Sequence, residues 1–179
     1  MSRFILLLLV LFIFACEKDE ELTLPAPIDI PPLSAVGTAT GVPVDTVFPG
    51  LDIPVKGTGF TLDFTDDETG EKLGAVTDVN LTMTPRDDGS VLAENYTVFT
   101  FAEDGSTLIL HFLIDMVPLS PTTMDVSANK DLVEYNVAGG TGRFSGVGGR
   151  AALQATLDVT EMAAGTIGFE CIYDIRLEP

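Results

Sequence analysis

Apolar and polar side chains alternate with a period of two through most of this chain. That period places every second side chain on the same face of an extended strand, so it predicts strands with one buried face each. The clearest apolar stripe is formed by Leu108, Leu110, Phe112, Ile114 and Met116. Turn-forming clusters of Gly, Pro, Asp and Asn separate such segments at short intervals. Since no segment after residue 15 has the length and caps of an ordinary helix, the chain is predicted to be all-β.

The alternation predicts about eight short antiparallel strands, preceded by a Gly- and Pro-interrupted edge segment at residues 36–48. The predicted segments are residues 60–65, 72–83, 91–101, 107–116, 122–127, 132–137, 151–160 and 167–177. Strands with one apolar face can close into a barrel or pack as a β-sandwich. We expect a closed antiparallel barrel, because closure removes exposed strand edges. A lipocalin-like barrel and a β-sandwich stay open as alternatives.

The N-terminus carries a short apolar run between a positive charge and a cysteine. Arg3 precedes 11 apolar residues at positions 4–14. A bilayer crossing needs about 20 apolar residues, so residues 1–15 are predicted to be a secretory signal peptide and not a membrane span. The segment Ile13-Phe14-Ala15-Cys16 resembles the lipobox of bacterial lipoproteins, in which the cysteine is acylated and becomes the mature N-terminus. This resemblance implies a lipid anchor on Cys16 and a place in the cell envelope, at the outer membrane.

Residues 16–35 are predicted to form an extended tether between the lipid and the domain, which is assigned to residues 36–179. The tether opens with Glu17-Lys18-Asp19-Glu20-Glu21 and continues with four prolines. Such a composition favours extended, solvated chain over a packed core. The acidic opening also resembles the surface-export signal of lipoproteins in some Gram-negative bacteria, which implies exposure on the cell surface. A solvated charged spacer is the alternative interpretation.

The formal net charge of −18 limits the partners of this chain. Loss of residues 1–15 would remove only Arg3 from the charged set, so the mature protein would be more negative by a single charge. Such a charge opposes docking on phosphate backbones, so nucleic acid is excluded as a partner. If Cys16 carries lipid, Cys171 has no partner for a disulfide. Cys171 is expected to be a buried, inert thiol, because it alternates in phase with Phe169 and Tyr173.

The most distinctive local motif is Gly139-Gly140-Thr141-Gly142-Arg143-Phe144-Ser145-Gly146. A glycine loop that binds a dinucleotide is followed by a helix within a βαβ unit, whereas a strand pattern follows here at residues 151–160. The motif is therefore interpreted as a backbone corner, where missing Cβ atoms allow positive φ angles and close approach of strands. Arg143 is expected to pair with an acidic side chain at the barrel rim, and contact with a ligand is the alternative.

The same glycine motif, ahead of a strand and a final hairpin, resembles the signature of the allene oxide cyclase and dirigent barrel superfamily. The turn Asp104-Gly105-Ser106 fits the same arrangement, and the resemblance covers residues 58–177. It implies an eight-stranded antiparallel barrel, often trimeric, whose lumen binds an apolar small molecule and guides cyclisation or coupling. Because the catalytic residues of that superfamily lie outside the glycine motif, none is carried over to this chain.

Residues suited to catalysis are scarce. His111 is the only histidine, and its position out of phase with the apolar stripe favours the surface or a subunit contact over a role as general base. A single histidine without cysteine partners cannot form a usual zinc site. The acidic turns at residues 66–71 and 87–88 lack the spacing of a calcium loop and are interpreted as solvated hairpin tips. Neither a metal nor a cofactor is predicted.

A largely apolar set of side chains is expected to face the barrel interior. Within residues 72–83 the side chains expected to share the inward face are Leu73, Ala75, Val79, Leu81 and Met83. The candidate lumen residues are Phe60, Phe64, Leu81, Leu110, Phe112, Tyr135, Leu157, Phe169 and Tyr173. These side chains either fill the barrel as a packed core or surround a pocket for an apolar ligand.

Three functions of different classes follow. The leading hypothesis is a membrane-anchored, surface-exposed lipoprotein with a non-catalytic binding or structural barrel, because catalytic groups are few. The alternative is a cyclase- or isomerase-like barrel that acts on an apolar small molecule. A subunit of a larger envelope assembly is the third. A ligand-sized lumen lined by Tyr135, Tyr173 or a charged residue favours the second, and a packed interior favours the first.

Overall fold

The structure is a computed structural model and describes residue 28 and residues 30–178. The predicted signal peptide, Cys16 and most of the predicted tether lie outside the described residues. The strands are β1 (Leu33–Thr40), β2 (Val42–Thr46), β3 (Val55–Asp66), β4 (Lys72–Pro85), β5 (Val91–Phe101), β6 (Thr107–Ser120), β7 (Thr123–Ala128), β8 (Val137–Gly140), β9 (Gly148–Asp158) and β10 (Thr166–Glu178). Two 3-10 turns, Gly142–Phe144 and Met162–Ala164, are the helical elements of these described residues. No helix within them is long and apolar enough to cross a membrane.

Eight of these strands form a closed antiparallel barrel, which confirms the predicted fold. The order around the barrel is β1, β10, β9, β7, β6, β5, β4 and β3, and β3 then returns to β1. β1 pairs with β10 over its whole length, beginning with Leu33 opposite Tyr173. The seam between β1 and β3 is much shorter, since only Leu33 with Asp66 and Ser34 with Thr65 pair across it.

Two further strands lie against this barrel. β2 pairs with the first residues of β3. β8 pairs with β6 at Leu108–Leu110, whereas β7 pairs with the later residues of β6, from Asp115 onward. β6 therefore changes partner along its length, and the glycine motif begins where β8 ends.

Aromatic rings fill one half of the barrel interior. Phe64 lies edge-on to Phe99 and Phe101, with ring centroids 5.1 and 5.2 Å apart, and Phe101 packs on Phe144 at 5.0 Å. Edge-on and offset aromatic pairs each contribute about 0.5–1.5 kcal/mol beyond the area that they bury. We call Phe64, Phe99, Phe101 and Phe144 the aromatic plug. It closes the end of the barrel where the β3–β4 and β5–β6 hairpins lie.

A second apolar cluster lies outside the barrel wall. The loop between β2 and β3 carries Phe48 and Leu51 over the outward faces of β4, β5 and β6. The buried members of this outer cluster are Leu51, Val55, Val79, Tyr96, Val98 and Ile109. Because the loop covers them, apolar residues are buried on both faces of β4.

This double burial makes the predicted inward face of β4 only partly correct. Leu73 packs against the interior core and Met83 borders the interior cavity described below, as predicted. Val79 lies in the outer cluster instead, and Leu81 packs against that cluster while it also borders the cavity. Val76 and Asp78, from the opposite phase, belong to the interior core and the cavity wall. The pairing of β4 with β5 also shifts register between Asn80 and Thr82, which interrupts the alternation. The alternation of apolar and polar residues alone could not assign the inward face of this strand.

The folded domain begins earlier than predicted. Leu33 and Ala35, which the sequence pattern places in the tether, are 0% and 1% exposed in β1. Ile28 and Ile30 also pack against the core. The prolines at positions 31 and 32 suggest a tether, but a strand tolerates proline at or before its first residue.

The strand predicted at residues 132–137 is a loop that leads into β8. The Asn129 carboxamide accepts hydrogen bonds from the N–H groups of Val133 and Glu134 and donates to the carbonyls of Glu134 and Ala151. Asn129 and Leu132 both have positive φ angles, 48° and 52°. Side-chain bonds of this kind offer the backbone an alternative to the ladder of a sheet, so the strand pattern is overridden there.

Candidate ligand-binding cavity

The half of the barrel opposite the aromatic plug encloses a cavity of about 630 Å³. Small-molecule sites in proteins typically measure about 300–1,000 Å³. The wall consists mostly of inward apolar side chains from β3, β6, β9 and β10, among them Phe60, Ile114, Leu157 and Phe169. Ala155 leaves room between them, because its side chain is small and its cross-strand neighbour on β10 is Cys171.

The cavity opens at the end of the barrel opposite the plug. Three residues border the cavity at this end: Gly41 between β1 and β2, Met83 near the end of β4, and Met162 in the β9–β10 turn. Met83 and Met162 are 47% and 51% exposed. The cavity therefore reaches solvent between these hairpins, and we call this opening the mouth.

Methionine is concentrated around this cavity. The chain has five methionines, and the four that fall within the described residues all border the cavity: Met83, Met116, Met124 and Met162. Methionine is unbranched and polarisable, so it adapts to apolar surfaces of different shape. The side chains near the mouth can therefore repack around an apolar molecule at small cost.

A cluster of buried polar side chains lies where the cavity meets the aromatic plug. The Thr97 hydroxyl donates to Asp78 Oδ1 at 2.5 Å, Asn95 Nδ2 donates to the same atom at 3.4 Å, and the Tyr173 hydroxyl donates to Asp78 Oδ2 at 3.2 Å. All four residues are less than 10% exposed. Asp78, Asn95 and Tyr173 border the cavity, and Tyr173 packs edge-on against Phe99 at 5.0 Å. We call these four residues, Asp78, Asn95, Thr97 and Tyr173, the polar cluster.

Burial shifts the titration of the groups at this end of the cavity. Burial raises the pKa of Asp78 above that of an ordinary aspartate, although hydrogen bonds from Thr97, Tyr173 and Asn95 act in the opposite direction. Burial also raises the pKa of Tyr173 well above its usual range and that of Cys171 to about 12. Each shift favours the uncharged form of its group.

Strand register brings the polar cluster together. Asp78 of β4 lies directly opposite Thr97 of β5, and Asn80 lies opposite Asn95. The sequence does contain a signal for this cluster, because Asn95 and Thr97 alternate in phase with the buried Phe99 of the same strand. Two polar residues on the inward face of a barrel strand indicate either a hydrogen-bonded network or a site.

The candidate lumen residues occupy three different environments. Those that border the cavity are Phe60, Leu81, Leu157, Phe169 and Tyr173. Phe64, Leu110 and Phe112 are buried in the interior core but do not border the cavity. Tyr135 is 64% exposed and its hydroxyl donates to Glu178 at 2.8 Å. The inward prediction for Tyr135 is wrong, because the segment around it is the loop held by Asn129.

The glycine motif forms a close backbone contact at the plugged end of the barrel. A Cβ atom on Gly139 would collide with the Gly50 carbonyl oxygen, and Gly142 has a φ of 58°. The motif also places Arg143 above the Phe144 ring, 5.0 Å from its centroid, with Nη1 bonded to Glu103 at 3.0 Å. These residues form a backbone contact and an ion pair at the plugged end of the barrel, and none of them borders the cavity.

The other polar residues considered for chemistry lie away from the cavity. His111 Nε2 is 2.9 Å from Glu94 Oε1, and its ring stacks on Tyr96 with 4.8 Å between centroids. Asp66 and Asp88 accept hydrogen bonds within their own hairpin turns, which lower their pKa values. Among the described residues no group of three His, Cys, Asp or Glu side chains is placed to hold a metal ion.

No protein-family model matches this chain, and no curated protein matches it.

Proposed function

We propose that this barrel binds a small apolar molecule in its cavity. The observation that carries the proposal is the contrast between the two halves of one interior: aromatic rings fill one, and the other leaves about 630 Å³ free. Protein interiors are normally packed as closely as organic crystals. A barrel that served only as a scaffold would gain stability from side chains that fill that volume, so a cavity of this size argues for a ligand.

Shape and polarity of the cavity support the same proposal. Each methylene that leaves water contributes about 0.8 kcal/mol, and the methionines near the mouth can adjust to ligands of different outline. The polar cluster at the inner end can orient one polar group of the ligand. An elongated molecule would then enter through the mouth with its polar group first and leave its apolar end beside Met83 and Met162.

A blocking variant with a matched control tests this proposal. Ala155 faces the cavity, and the next residue, Thr156, is exposed on the outer face of β9. Binding is followed with N-phenyl-1-naphthylamine, an uncharged dye that fluoresces in apolar surroundings. We expect the wild-type protein and Thr156→Trp to bind the dye in a saturable manner and Ala155→Trp to lose binding.

Circular dichroism must show that both variants keep the strand content of the wild type. Absence of saturable binding to the wild-type barrel, or equal binding by a folded Ala155→Trp variant, would refute the proposed cavity function.

The resemblance to bacterial lipoproteins supports an additional element of the proposal: the mature protein is held at the outer membrane, exposed at the cell surface, by lipid on Cys16. Two or more acyl chains anchor a protein stably. Cys16→Ser should release the protein from washed membranes, and unchanged retention would contradict lipidation at this position. Protease treatment of intact cells then tests surface exposure, since an exposed domain is degraded while cytoplasmic markers survive.

Acid-assisted isomerisation is a second candidate function, and the polar cluster is the observation that favours it. The Asp78 carboxyl borders a largely apolar cavity, and burial raises its pKa. A carboxyl of this kind can donate a proton to a ligand oxygen and take one back from carbon, which rearranges the ligand without consuming water or a cofactor. The resemblance to the allene oxide cyclase and dirigent superfamily points to the same class of reaction.

This candidate requires catalytic turnover as well as binding. The probe is 1,2-epoxydecane, for which an isomeric allylic alcohol keeps the mass of the substrate and a diol from hydrolysis adds one water. We expect the isomer with the wild-type protein and a rate lower by roughly 10²–10⁴ with Asp78→Asn, the usual contribution of a general acid. Equal rates for both proteins would leave the barrel as a binding module.

A further inference from the structure

We propose that the cavity selects uncharged lipids whose single polar group is a hydroxyl or carbonyl oxygen, and that it discriminates against fatty carboxylates and amines. The inference rests on the proposed function, because it names the class of ligand that the same cavity accepts. Two observations carry it: the polar groups of the wall, and the absence of a cation among the described residues that form the wall.

The charges around the cavity argue against an anionic ligand. Among the described residues that border the cavity there is no Lys, Arg or His. The carboxylate of a fatty acid would therefore lose its water without a cationic partner, which costs several kcal/mol for an isolated charge. It would also approach the Asp78 carboxyl at the deeply buried polar end of the cavity. The formal net charge of −18 further disfavours the approach of anions.

The hydrogen-bond capacity of the polar cluster argues against an ammonium head group. An ammonium ion needs three acceptors and a charged partner. Asp78 Oδ1 already accepts from Thr97 and Asn95, and Asp78 Oδ2 accepts from Tyr173. Burial opposes the ionised form of Asp78 that an ammonium ion would require. An ammonium ion would therefore have to displace existing bonds and charge a buried group at once.

A hydroxyl or carbonyl oxygen fits the same groups without such a cost. A ligand hydroxyl needs one donor and one acceptor, and a carbonyl needs one or two donors. Asn95 offers an amide and Tyr173 offers a hydroxyl at the surface of the cavity. Each hydrogen bond between neutral groups contributes about 0.5–1.5 kcal/mol, which corresponds to roughly a two- to tenfold change in affinity.

Four ligands that differ only in their head group test this inference: 1-decanol, 2-decanone, decanoate and decylamine. Each is titrated against the dye complex at mildly alkaline pH, where the acid is ionised and the amine is protonated. We expect the alcohol and the ketone to displace the dye at concentrations at least about tenfold lower than the acid and the amine, since a tenfold ratio needs only about 1.4 kcal/mol.

A pair of matched variants locates the head group. Tyr173→Phe removes a hydroxyl from the polar cluster and should lower the affinity for 1-decanol about two- to tenfold. Tyr135→Phe removes an exposed hydroxyl outside the barrel and should leave the affinity for 1-decanol unchanged.

The outcomes separate failure of this inference from failure of the proposed function. If the wild-type protein binds neither the dye nor any decyl compound, the cavity function itself is wrong. If decanoate or decylamine displaces the dye as well as 1-decanol does, the cavity binds lipids but the inferred head-group preference is wrong. Equal loss of 1-decanol binding in the Tyr173 and Tyr135 variants would also overturn the placement of the head group.

Discussion

Replacement of Phe144 by alanine removes one ring from the aromatic plug and tests how the closed end of the barrel is stabilised. Phe144 is 0% exposed, packs on Phe101 with 5.0 Å between ring centroids and lies beneath the Arg143 guanidinium. Truncation of a buried Phe to Ala costs about 3–5 kcal/mol, because the loss of apolar burial adds to the cost of the space left behind. For a domain of this size that loss lowers the melting temperature by about 6–20 °C.

Tyr135→Ala is the matched control. The Tyr135 ring also stacks with an arginine, since the Arg150 guanidinium lies 4.0 Å from its centroid, but the residue is 64% exposed. An exposed contact of this kind contributes about 0.5–1 kcal/mol. The two variants therefore share a stacked arginine and differ in the burial of the ring.

Urea unfolding followed by circular dichroism measures both free energies of unfolding, and thermal unfolding checks their order. We expect Phe144→Ala to lose at least about 2 kcal/mol more than Tyr135→Ala. Losses within about 1 kcal/mol of each other would show that the plug is not a packed core, and the described architecture of this end would be wrong. Dye binding by Phe144→Ala should persist well below its melting temperature, because Phe144 does not border the cavity.

Two other predictions concern the glycine motif and the polar cluster. Gly142→Ala should destabilise the protein more than Gly146→Ala does: both sites have positive φ, but a Cβ on Gly142 would collide with Ser106 Oγ, whereas one on Gly146 meets nothing within 4 Å. Gly146→Ala should lower the free energy of unfolding, measured with urea, by about 1–2 kcal/mol from backbone strain alone. Equal losses for Gly142→Ala and Gly146→Ala would refute the close contact at Gly142. Asp78→Asn should gain stability relative to wild type as pH rises. The raised pKa of Asp78 gives stability that is complete below the unfolded-state pKa and is lost as pH rises through the folded-state pKa. A difference in melting temperature between Asp78→Asn and the wild type that stays constant across pH would contradict this linkage.

The interior strands are predictable because burial on one face imposes a strict period. The period assigns Leu110 and Phe112 to the inward face of β6, and both are buried in the barrel. Closure is also predictable in outline, since about eight one-sided strands leave edges that a barrel removes. These inferences need only local pattern and a general rule about edges.

The polar cluster is only partly predictable, because Asn95 and Thr97 share the inward phase of β5, whereas Asp78 and Tyr173 join them only through the folded barrel. Asp78 has the pattern of a solvent-facing residue in a strand where both faces carry apolar residues. Only the loop that carries Leu51 over the outer wall shows that Val79 is covered from outside and leaves Asp78 inside. The contact between Asp78 and Tyr173 depends on closure of the whole barrel. Such long-range geometry is absent from the local pattern.

The pairing of β1 with β10 has a consequence for how this chain acquires its fold. Leu33, the first residue of β1, finds its neighbour Tyr173 only when β10 is present. Contacts between such distant segments slow folding, because a long loop must be ordered before they form. A nascent chain that lacks its final residues leaves β1 and β9 without their shared partner. The barrel can therefore enclose a ligand only after β10 has been synthesised and has paired with both β1 and β9.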